Sequence, residues 1–143
     1  MERVEGIGGV FFTARDPEAL RHWYAERLGV EDGLGGAPVW TPSAGPIVFA
    51  PFPESTEKFA PGKQWMLNFR VRDLDAMLAQ LRAAGVPVED DVQHEQGIGR
   101  FAWLSDPEGN RIELWEPDRT KFGRPLLRPA AVSSPLRDRP PGS

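Results

Sequence analysis

Cysteine is absent from the chain, which removes disulfides, thiolate metal sites and cysteine nucleophiles from consideration. Only two histidines occur, so a hydrolytic triad or a histidine-rich centre has little to draw on. No apolar run approaches the roughly 20 residues needed to span a bilayer. Nor does the N-terminus show a basic region leading into an apolar segment and a cleavage site. A cytoplasmic protein with no membrane partner is expected. No serine sits in a G-x-S-x-G elbow. "GIGG" at residues 6 to 9 has neither a preceding strand nor a P-loop lysine, so it is not a phosphate loop. Nothing points to a glycosidase-type carboxylate pair. A basic excess is also missing from most of the chain. Residues 118 to 143 carry Lys121 and five arginines against Asp118 and Asp138, +4 by count. With −4 on the whole chain, residues 1 to 117 hold −8. An acidic body is a poor match to a phosphate backbone, so nucleic acid is not expected as a partner.

What is present suits one globular domain. The chain has 143 residues, 40% of them hydrophobic, enough to bury a core. Two segments follow one plan. In "GGVFFTARDPEALRHWYAERLGV", residues 8 to 14 read as a strand and Asp16-Pro17 as a helix start. Leu20, Trp23, Tyr24 and Leu28 then fall at helical spacing, and Gly29 closes the helix. In "MLNFRVRDLDAMLAQLRAAGV", residues 66 to 72 read as a strand and Asp73 or Asp75 as the cap. Leu74, Met77, Leu78 and Leu81 share a face, and Gly85 ends the helix. Asp73 follows Asp16 by 57 positions, and Met66 follows Gly9 by the same 57. We read an internal repeat.

Strand-rich sequence follows each helix. "RFAWLSDPEGNRIELWEP" has its turn at Asp106-Pro107-Glu108-Gly109, with proline and glycine placed for a hairpin. "PVWTPSAGPIVFAPFP" holds the corresponding place in the first copy, so each half reads strand, helix, three strands. Residues 53 to 64, rich in Pro, Glu, Ser and Thr, link the halves. From residue 118 the character changes to proline and arginine without periodicity. This tail is expected to be flexible or to pack on its own or a partner subunit, with "PLLRPAAV" as its apolar part.

These paired modules, opened by "GVFFTARDPEALRHWYAERLGV" and closed by "DPEGNRIELWEP", resemble the glyoxalase / bleomycin-resistance / extradiol-dioxygenase (vicinal-oxygen-chelate) superfamily. The resemblance covers roughly residues 5 to 117. It implies an α+β fold with two βαβββ modules, about 5–53 and 64–117, forming a curled, barrel-like mixed sheet cleft with helices outside. That makes residues 1–117 a single domain and 118–143 a tail. The resemblance also implies a homodimer. In that group a divalent metal is held by one residue from the first and one from the last strand of each module. Carried onto this sequence, those positions are Gly9, Phe49, Met66 and Glu113. Glycine and phenylalanine offer no side-chain ligand, and a thioether suits Zn, Ni, Mn or Fe(II) poorly. One carboxylate falls short of the three or so protein ligands that a catalytic metal takes. The usual metal site is expected to be missing and no cofactor is expected. A displaced site built on His94, Glu95 and Glu113 is the exception to test. The other histidine, His22, lies off the apolar face of its helix and reads as solvent-exposed.

Strand alternation completes the expectation. If positions 9, 66 and 113 face the cleft, Phe11, Asn68, Arg70, Arg111 and Trp115 face it as well. Val10, Phe12, Leu67, Phe69, Val71, Ile112 and Leu114 then face the helices. The expected ligand-binding wall is Phe11, Phe49, Met66, Asn68, Arg70, His94, Trp103, Arg111, Glu113 and Trp115, with Trp40 nearby. Mostly apolar walls with a few polar groups describe a small-molecule pocket. Glu113 is then one of four things: the partner of Arg70 or Arg111 in an ion pair, a ligand contact, a metal ligand, or a catalytic acid or base. The leading expectation is a metal-independent binder of an aromatic or amphipathic compound. The alternatives are a metal-dependent lyase, isomerase or dioxygenase using Glu113 and His94, and a metal-free enzyme with Glu113 as base.

Overall fold

The computed structural model describes residues 1–122; "PLLRPAAV" lies outside them. The first ordered element is helix α1, Pro17–Leu28. Asp16 caps it by accepting from the Ala19 backbone N–H at 3.1 Å, Pro17 fills the first turn, and Gly29 takes the left-handed conformation at φ 69°. Strand β1, Leu67–Arg70, leads through Asp73 into helix α2, Leu74–Ala83. Strands β2, Gln93–Glu95, β3, Gly99–Ser105, and β4, Arg111–Pro117, follow, with a last turn of helix, α3, at Arg119–Phe122. Of the two candidate caps, Asp73 is the one used; its carboxylate accepts from Ala76 N–H at 3.0 Å.

The strands form one open, mixed sheet in the order β1-β4-β3-β2. β1 runs parallel to β4, and the other pairs are antiparallel. Residues 67 to 117 thus follow the order strand, helix, three strands. The first half does not repeat it here. Residues 8 to 14 and 46 to 53 join no ladder, and an isolated bridge from Asp32 to Val39 is the β pairing found in the described first half. In the second of these runs Pro46, Pro51 and Pro53 each lack the N–H that a ladder needs. Phe11 and Phe49 stand 96% and 89% exposed, while Phe12 packs against Tyr24 and Trp65 and Ala14 against the core.

The core lies on one face of the sheet. Leu104, Ile112 and Leu114 from β3 and β4 meet Leu74, Leu78 and Leu81 of α2, with Leu20 and Tyr24 of α1 joining. Each of the large aliphatic side chains contributes roughly 1.5–3 kcal/mol by leaving water. Carboxylates from the β3–β4 hairpin and its exit strand tie both helix starts to the sheet. Glu116 accepts from Leu74 N–H at 2.7 Å, and Glu108 accepts from Arg15 and Asp16 N–H at 2.6 and 3.1 Å. Anionic groups at a helix start are favoured by its orphan N–H groups.

The Glu108 contact gives a pH prediction. The two backbone N–H groups, with a smaller contribution from the Arg15 charge, hold its carboxyl below the usual glutamate range. A carboxyl lowered in the folded state stabilises above its unfolded value, and the stabilisation is lost as pH falls through the folded value. Glu108→Gln should therefore be less stable than the parent at neutral pH, and the gap should close on acidification. Urea midpoints at several pH values check this; a gap that does not change with pH would contradict it.

Candidate functional site

Along β4 the pleat sends Ile112 and Leu114 toward α2 and Arg111, Glu113 and Trp115 to the opposite face. Register supplies the neighbours. Asn68 of β1 and Trp103 of β3 stand on either side of Glu113, and Arg70 and Phe101 on either side of Trp115. Both carboxylate oxygens of Glu113 are engaged. Asn68 Nδ2 donates to Oε1 at 2.7 Å, and the Trp103 indole Nε1 donates to Oε2 at 2.9 Å. Neither donor is charged. An ionised carboxylate has about four acceptor sites, so two neutral bonds leave capacity for a further donor.

The arginines go elsewhere. Arg111 donates to both oxygens of Glu89 at 2.9 and 2.7 Å and to the Lys58 carbonyl at 2.8 Å, and its guanidinium lies 5.0 Å from the Trp103 ring centre. Hydrogen bonding to Glu89 raises its pKa against a smaller lowering by desolvation, and the charges of Glu89 and Glu113 add to the rise. Arg70 donates to the Ser43 carbonyl at 2.8 Å. Among the described residues neither forms a salt bridge with Glu113. Both instead fasten the segment before β1 onto the edges of this face.

Around Glu113 the face is aromatic. Phe101 is near-parallel to Trp115, at 6.2 Å and 2°, and to Trp103, at 6.5 Å and 17°. Trp103 and Trp115 are only 6% and 3% exposed, though they point away from the main core. The Trp115 indole N–H donates to the Ile98 carbonyl at 3.0 Å.

Of the residues expected at the site, the structure gathers Asn68, Arg70, Trp103, Arg111, Glu113 and Trp115. Met66 is half-buried just before β1. Phe11 and Phe49 have no ring contact with this cluster among the described residues, and the Phe11 ring lies over Gly9. Trp40 packs edge-on against Phe69 at 6.0 Å, on the side away from Glu113. His94 is paired with Arg100, and Gln93 with Phe101. Alternation therefore puts His94 on the opposite face from Glu113. His22 is exposed and lies 3.5 Å from Glu26. Among the described residues no three His, Asp or Glu side chains group as a metal site, and no helix is long and apolar enough to cross a membrane. The positions that the resemblance assigns to a metal, Gly9, Phe49, Met66 and Glu113, offer one carboxylate, already held by two N–H donors. That donor set does not fit a divalent metal.

A family model described as the glyoxalase-like domain matches residues 9–115. The chain belongs to the glyoxalase-like domain family. No curated protein matches this glyoxalase-like domain. Solved structures do. An antibiotic-binding protein from Streptomyces sp. CB03234 is 24% identical over 73% of this chain and 88% of its own, with a TM-score of 0.44. A superfamily member from Sphaerobacter thermophilus DSM 20745 is 20% identical over 72% and 90%, at 0.43. The trypanothione-dependent glyoxalase I of Leishmania major is 19% identical over 71% and 78%, at 0.40.

Two parts of the candidate site escape sequence reasoning. Glu89 clamps Arg111, yet it sits in a loop with no periodicity to assign it a direction. Phe101 lies between the two tryptophans; the parity of Trp103 would have included it once β3 was taken as that strand. Outside the site, Asp106 organises the hairpin turn from a buried position and escapes that reasoning as well. The "DPEG" motif signals the turn but not the burial.

Proposed function

We propose that this glyoxalase-like domain binds a flat, partly aromatic or amphipathic small molecule without a catalytic metal. The observation that carries the reading is the Glu113 carboxylate, fixed by the Asn68 and Trp103 N–H groups within the Trp103, Phe101 and Trp115 row. Aromatic walls supply apolar area, and a carboxylate with spare acceptor capacity selects a ligand bearing an N–H, O–H or cationic group. Glu113 is then a ligand contact. The fuller architecture belongs to the same proposal: residues 8 to 14 and 46 to 53 pair as a first module and close the cleft in a cytoplasmic homodimer.

Two measurements test the reading. Untagged protein dialysed against Mn, Fe(II), Ni and Zn and then against buffer should hold far less than one metal per chain by mass spectrometry. A stoichiometric metal would overturn the metal-free reading. A thermal-shift screen of planar aromatic metabolites and antibiotics should then give a hit whose binding resists chelator. Loss of a charged hydrogen-bond acceptor in Glu113→Gln should weaken that hit about tenfold. Turnover that survives chelator and vanishes in Glu113→Gln would instead assign the carboxylate as a catalytic base.

A further inference from the structure

Trp115 is 3% exposed although it lies on the open face of the sheet. Part of its cover comes from α3. The Phe122 ring meets the indole edge-on at 5.4 Å and 84°. Among the described residues the attachment of α3 is slight. Asp118 N–H donates to the Ile98 carbonyl at 3.0 Å, the carbonyl that also accepts from Trp115 Nε1, and Arg119 Nη2 donates to the Arg72 carbonyl at 2.9 Å. The Asp118 carboxylate accepts from Thr120 N–H and Oγ1, which shapes the turn without anchoring it to the sheet. No residue of α3 is buried. A four-residue helix has no stability of its own, and a segment with few buried contacts opens at little cost.

We propose that α3 is a self-occluding latch in which Phe122 occupies the place against Trp115 that an aromatic ligand takes. This rests on the open face being the binding face. A ring entering beside Trp115 must displace Phe122, and the pair it breaks is replaced by a similar one. The latch therefore lowers affinity for compounds too small to reach both Trp115 and Glu113. A ligand that spans both recovers the lost contact.

The test uses the full chain with Phe122→Ala, and Arg119→Ala as a second way to release the latch. Acrylamide quenching of tryptophan fluorescence, compared with the same variants carrying Trp115→Phe, isolates the Trp115 signal. Anilinonaphthalene sulfonate serves as the aromatic probe. Expected are greater quenching of Trp115 in both variants and probe binding about three- to tenfold tighter, the gain disappearing with Trp115→Phe. Unchanged quenching in both variants would overturn the latch whatever the ligand. Increased quenching with unchanged probe affinity would overturn the gating, and would lay the failure on the binding face and not on the Phe122 contact.

Discussion

Asp106→Ala should lower the stability of this protein by about 3–5 kcal/mol, read from urea denaturation at neutral pH. Asp106 is 4% exposed, and its carboxylate accepts four hydrogen bonds. Oδ1 takes the Glu108 and Asn110 backbone N–H groups at 2.9 and 3.0 Å. Oδ2 takes the Tyr24 hydroxyl and Asn110 Nδ2, both at 2.7 Å. Two of these bonds make the hairpin turn, and the Tyr24 bond joins it to α1. Burial, then the Asp106 hydrogen bond and charge, push the Tyr24 hydroxyl pKa well up, so it stays a donor at every working pH. Alanine would leave these donors without their acceptor at a buried position. Tyr24→Phe removes one donor of the set and should cost only about 1–2 kcal/mol. The pair should be non-additive in a double-mutant cycle, because both act on one bond. If Asp106→Ala costs no more than Tyr24→Phe, the carboxylate is not the organiser described.

The extent of this that the sequence reveals follows from the range of the forces involved. Local signals translate directly. Asp16-Pro17 and Gly29 bound α1, Asp73 starts α2, and Asp106 to Gly109 turns the hairpin. Parity within β4 also reads correctly, since Ile112 and Leu114 are buried on the α2 side and Glu113 lies on the other. Register between distant strands does not. Alternation places Asn68 and Arg70 on the same face as Glu113, but only the parallel pairing sets Asn68 beside Glu113 and Arg70 beside Trp115. One two-residue shift decides whether Glu113 has a cationic or a neutral partner. For His94 the strand is three residues long, too short for its own pattern to fix a face. The expected strands at residues 8 to 14 and 46 to 53 join no ladder among the described residues, and hydrophobic spacing cannot report whether a partner edge exists to pair with them.

A second large effect is expected at Gly99, where backbone and site meet. Its φ of 138° lies in the region that L side chains rarely adopt, and a Cβ there would fall 2.1 Å from the Glu116 carbonyl oxygen and 2.8 Å from Trp115 Nε1. Backbone cannot step aside as a side-chain end can, because Gly99 is paired with Pro117 at the end of the β3–β4 ladder. Gly99→Ala should therefore cost about 3 kcal/mol or more, strain and overpacking together. Gly97 provides the control. It too has positive φ, 78°, but a Cβ there meets nothing within 4 Å. Gly97→Ala should cost only the backbone term, about 1 kcal/mol. Equal losses in the two variants would show that strain alone operates and that the collision is relieved. If the collision is real, its relief must move the Trp115 indole off the Ile98 carbonyl, which also anchors Asp118. Gly99→Ala should then raise acrylamide quenching of Trp115 under conditions where the chain is still folded, while Gly97→Ala leaves it unchanged. A loss of stability at Gly99 without that rise would mean that the ladder end opens away from the indole.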